Sequence, residues 1–124
     1  MEKTDELPNS FPDTLVFLMK RAHVTIEQLE ERSFLSGRTI SRLRTEERGA
    51  YSLDQVIAIC VALHLPPWLS GEVLKRAGLM LTSTVQHRAY QFVLDCLFMD
   101  SVEDVQRFLK ETGMERLKLR QDDE

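Results

Sequence analysis

Residues 53–65, LDQVIAICVALHL, would be apolar on nearly every side if coiled into a helix. Ser52 and Gln55 stand at their start in a capping-box arrangement, and Pro66-Pro67 closes the far end. A helix that is apolar all round has to be buried. This one is therefore expected at the centre of the molecule, surrounded by other helices. It falls short of the roughly 18 apolar residues that a membrane span needs, and no other run comes closer.

Helical spacing and caps mark out the neighbours. Ser10 can cap a first helix on which Phe11, Leu15, Leu18 and Ala22 share a face. Thr25 and Gln28 form a capping box before a second, ending near Arg32, and Ser36 caps a third, ending near Arg44, with Ile40 and Leu43 on its inner side. PPWLSGEVLKRAGL reads as a fifth helix that Gly78 ends. A sixth begins at Thr84 or Ser83 with Val85, Ala89, Phe92, Val93, Leu97 and Phe98 on a wide apolar stripe, and a seventh runs from Ser101 to Gly113. Five glycines and four prolines in 124 residues are too few for a loop-rich all-β chain. No useful period-2 alternation occurs. The expected class is all-α, in four segments: a flexible leader at 1–9, a five-helix body at 10–80, a two-helix extension at 81–120 and an acidic tail at 121–124. The body through Leu79 is expected to fold without the extension.

Residues 25–44, TIEQLEERSFLSGRTISRLR, pair a short capped helix with a second one across a turn of about four residues. Leu29, Leu35, Ile40 and Leu43 are spaced to pin the two helices at a fixed crossing angle. The outer side of the second helix then presents Ser36, Gly37, Arg38, Ser41 and Arg42, with Arg44 and Arg48 following. Between 32 and 48 five arginines face only Glu46 and Glu47, a local charge of +3 in a chain whose net charge is −4. The basic stretch coincides with the exposed helix. Arginine suits guanine edges and phosphates because its planar fork donates two parallel hydrogen bonds.

Those residues, followed by SLDQVIAICVALHL, resemble the XRE/Cro-repressor-type helix-turn-helix regulators of bacteria and phages over about residues 11–79. The resemblance implies a five-helix lambda-repressor-like domain with the helix at 37–44 in the major groove. It places Ser36, Gly37, Arg38, Ser41 and Arg42 at bases, and Thr25, Arg44, Arg48 and Ser52 at phosphates or helix starts. The family usually has a small residue where this chain has Glu30, and glycine where it has Phe34. Either the turn is remodelled or Phe34 packs outward; a pocket beside Leu35 is the expected place for the ring. Gly37 leaves one of the family's base-contact positions without a side chain.

Other signals are weak. His23, His64 and His87 lie far apart without metal-ligand spacing and read as helix-end or surface residues. Glu30-Glu31 and Glu46-Glu47 are adjacent pairs that point to different helix faces, which does not suit paired acid/base work. No phosphate-cradling glycine loop or nucleophile elbow occurs, so neither an enzyme nor a cofactor is expected. Cys60 and Cys96 read as reduced core residues, and Trp68 as packed under the fourth helix. The stripe on residues 85–99 suits core packing and a subunit interface equally. The function expected is a cytoplasmic DNA-binding repressor acting as a homodimer, with residues 85–112 open to a protein partner. The alternative keeps the fold as a protein-interaction adaptor or antitoxin-like module with little DNA binding.

Overall fold

The computed structural model describes residues 7–46 and 50–119, and the described residues form seven helices and no strand. They are α1 (Phe11–Ala22), α2 (Ile26–Ser33), α3 (Gly37–Thr45), α4 (Leu53–Ala62), α5 (Pro67–Arg76), α6 (Val85–Cys96) and α7 (Val102–Glu111). Their starts follow from side chains. Ser10, Thr25, Ser36, Ser52, Thr84 and Ser101 each accept a hydrogen bond from the amide three residues on, satisfying a donor the helix cannot. At α2 the bond is returned by Gln28, completing the box; at α4 only the Ser52 half forms. Pro67 opens α5 with its ring fitting the first turn.

The ends depend on left-handed residues. His64 has φ 55°, which lets its own amide reach Val61 O and the Leu65 amide reach Cys60 O, both at 3.0 Å. The fourth helix thus stops at Ala62, three residues short of its apolar sequence. His23 (φ 59°), Gly78 (φ 73°) and Gly113 (φ 80°) turn the chain the same way after α1, α5 and α7.

As expected, α4 is central. Every residue from Gln55 to Ala62 is buried, with α2, α5, α6 and α7 packed around it. The α1 helix lies across α3 and α5. One apolar cluster runs from Leu7 to Leu119 and takes in Phe11, Leu29, Ile40, Val93, Val105 and Leu109. Each fully buried side chain of this size contributes about 1.5–3 kcal/mol. Cys60 sits in that cluster, and burial pushes its thiol up to about 12 against an opposing hydrogen bond with Ser70.

Several expectations need correction. Leu7 and Pro8 are not part of a free leader, because Leu7 is in the core and Pro8 O accepts from Arg76 Nε (2.7 Å) and Thr14 Oγ1 (3.2 Å). Residues 1–6, and the acidic tail at 121–124, lie outside the described residues. Ala22 and Cys96 are exposed rather than buried. Trp68 is 47% exposed, since it precedes the inward Leu69 on the first turn of α5. On α6 the inward residues are Tyr90, Val93 and Leu94, while Val85 and Phe92 face out.

An extended segment closes the molecule. Gln106 both donates to Leu117 O (3.0 Å) and accepts from Leu117 N (2.7 Å), standing in for a strand partner. Gln86 does the same for Glu115, at 2.8 and 3.0 Å. Asp54 accepts from Lys118 N (2.8 Å) with one oxygen and from Tyr90 Oη (3.0 Å) with the other. These bonds let Leu117 enter the core with its backbone groups paired, and Leu119 is buried two residues further on.

Candidate nucleic-acid interface

The α2–α3 unit is fixed from within by four apolar pins. Leu29, Leu35 and Ile40 are fully buried and Leu43 nearly so. Between the helices, Phe34 has φ 65° and ψ 17°, and its amide bonds Glu30 O at 3.1 Å. The turn is therefore not remodelled: a phenylalanine occupies the left-handed position that glycine favours. Its ring is 39% exposed, which corrects the expected pocket beside Leu35. The Leu35 amide, which follows the turn, donates to the buried Ser33 Oγ at 3.2 Å.

Burying Thr39, Ile40 and Leu43 leaves Arg38, Ser41, Arg42 and Thr45 on the solvent side of α3. Arg38 and Arg42 stand one turn apart on this face. Arg42 Nε lies 3.7 Å from Glu46 Oε1 in an exposed pair, which holds the guanidinium only weakly. The Thr45 hydroxyl donates to Ser41 O at 3.0 Å and stays within the helix.

The other candidate residues divide by role. Ser36 accepts from Thr39 N at 3.1 Å and gives its proton to Thr39 Oγ1 at 3.0 Å, so both its hydrogen-bonding functions are used inside α3. Thr25 and Ser52 also act as helix starts. Thr25, Gly37, Ser41 and Arg44 come together with Lys20 and Glu30 around an open groove of about 590 Å³ between α1, α2 and α3. Arg44 is half-buried there, and its Nε is shielded from solvent with no hydrogen-bond partner among the described residues. Arg48 lies outside the described residues.

One relation is visible only in the folded chain. A Cβ on Gly37 would lie 3.1 Å from Glu30 Oε1. The large residue on α2 and the missing side chain on α3 are two halves of one arrangement: the Glu30 carboxylate uses the room that glycine leaves at the start of α3. The available signal was that both departures from the family pattern fall at the helix crossing. Acidic oxygens near a helix N-terminus are stabilised by its unpaired amides.

Among the described residues no group of three His, Cys, Asp or Glu could hold a metal ion, and no helix is long and apolar enough to cross a membrane. His23 and His64 are left-handed helix-end residues, and His87 Nδ1 accepts from Thr82 N at 3.0 Å.

The family comparison agrees with the geometry. Residues 15–67, spanning most of α1 through α4 and the first residue of α5, match the Cro/C1-type HTH DNA-binding domain. The match covers less than half of the chain and stops before α6 and α7. No curated protein and no solved structure matches the chain. With its pinned helices, its capped α3 and the arginines on the open face, the segment 15–67 is similar to the Cro/C1-type helix-turn-helix DNA-binding domains.

Proposed function

We propose that the protein is a cytoplasmic bacterial repressor that reads duplex DNA in a sequence-specific way through the major groove. The observation that carries this reading is the solvent face of α3, where Arg38, Ser41 and Arg42 stand opposite the buried Ile40 and Leu43. Arg38 and Arg42 supply base readout by bidentate donation to guanine, and Ser41 adds a hydroxyl between them. Gly37 lets the backbone approach, while the helix starts at Thr25, Ser36 and Ser52 and the side chains of Arg44 and Arg48 serve phosphates. Repression follows from occupancy of an operator by two copies related by two-fold symmetry, with the α6–α7 extension holding them together.

Affinity for random duplex DNA measured against salt tests the reading. Log-linear loss of affinity with log salt is expected, followed by an enriched inverted repeat when bound sequences are selected from a random library. A second reading, an adaptor module without DNA, is favoured by the Glu30 carboxylate, which brings negative charge to the start of α3. It predicts little binding at any salt concentration.

A further inference from the structure

Along α6 the residues Val85, Ala89, Phe92 and Cys96 recur at spacings of four, three and four, which is the seam pattern of paired helices. Val85 is 67% exposed, Phe92 45% exposed and Cys96 exposed, while Ala89 is half-buried at the edge of the core. Among the described residues the outer side of this stripe stays open to solvent. Phe92 is held in place by stacking on Phe108 of α7, with ring centroids 5.3 Å apart. Immobilised aromatic rings at the middle of an apolar strip are characteristic interface anchors.

We infer that this stripe is a seam on which the α6 of a second copy lies antiparallel. The inference rests on the dimeric reading above and gives it a geometry. Two features select the antiparallel direction. The first is size: with the two helices centred on each other, Val85 meets Cys96 of the other copy, and Phe92 meets Ala89. Large residues then face small ones at each level, as close packing requires. A parallel pair would set Phe92 on Phe92 and leave Ala89 against Ala89.

The second feature is charge. Arg88 and Asp95 flank the seam on the same side, seven residues apart and both exposed. They are too far apart to pair within one helix, since seven residues rise about 10 Å. Arg88 has no ion-pair partner among the described residues, and Asp95 is joined only to Gln91 Nε2, at 3.0 Å. The antiparallel arrangement brings Arg88 of each copy to Asp95 of the other, twice per dimer, at the flanking positions where such pairs set helix orientation. The seam is thus complementary to itself in shape and in charge, as a two-fold contact has to be.

The test uses the full chain and no DNA, so its outcome is independent of whether the protein binds an operator. Sedimentation should find dimers at micromolar concentration. Arg88→Asp and Asp95→Arg should each weaken the dimer at least tenfold, because opposed charges become like ones on both sides of the axis. The double variant Arg88→Asp/Asp95→Arg should return to within about threefold of the parent, since both contacts are restored. Under mild oxidation, Val85→Cys should form an intermolecular disulfide with the native Cys96, whereas the parent should not crosslink through Cys96 alone. A monomeric parent, single variants as tight as the parent, a double variant no tighter than the single ones, or Cys96–Cys96 crosslinking in the parent would each overturn the inference.

Discussion

Phe34 carries a backbone conformation that costs a side-chain-bearing residue about 1–2 kcal/mol. Because the turn is unaltered and the ring 39% exposed, packing offsets only part of that strain. Phe34→Gly should therefore stabilise the protein by about 0.5–1 kcal/mol, seen as a melting temperature higher by a few degrees. A lower melting temperature would mean that the ring's contacts outweigh the strain. The left-handed position was legible from the family pattern, but where the ring points was not: local sequence offered Leu35 as company, and Leu35 turned wholly inward. Glu30 and Gly37 show the same limit. Each was legible as a departure, yet their contact depends on the crossing of α2 over α3, which no single segment encodes.

Helix starts were readable almost throughout, because a capping hydroxyl and the amide it satisfies lie three residues apart in sequence. Ends were less so. The apolar run 53–65 continues beyond α4, and only the left-handed His64 stops the helix at Ala62. The segment after Gly113 was not legible at all, since its hydrogen bonds come from Gln86, Gln106 and Asp54, distant in sequence and unremarkable in type. Gln106 makes the clearest test of this closure. Gln106→Ala removes both bonds to Leu117 and should cost roughly 1–3 kcal/mol in denaturant unfolding. The same variant should be cut faster by protease between residues 113 and 119. Unchanged stability and protection would show that Leu117 and Leu119 hold the segment by packing alone.

At the scale of the whole molecule, all-α class, helix order and the central place of α4 followed from periodicity and caps, while the dependence of α4 on the extension did not. Because α6 and α7 help to cover α4, the first 79 residues would leave much of its apolar surface open. Losing several leucine-sized contacts at about 1.5–3 kcal/mol each approaches the total stability of a small domain. Truncation after Leu79 should therefore give a chain without a cooperative melt, contrary to the autonomous body that the sequence suggests. A sharp transition near the parent's would restore that expectation. The face of α3 carrying Arg38 and Arg42 is a different surface, which has no buried role and can be altered without unfolding the protein. Both Arg38→Ala and Arg42→Ala should melt within about 0.5 kcal/mol of the parent, the exposed pair with Glu46 being worth little. The decisive measurement is the base preference of each variant over the operator selected by the parent. Each variant should lose about 1–3 kcal/mol in binding, with preference relaxed at one operator position. Arg48→Ala should instead weaken binding evenly across sequences and flatten the salt slope by about one. Undiminished binding and unchanged preference in both Arg38→Ala and Arg42→Ala would contradict the claim that α3 reads DNA.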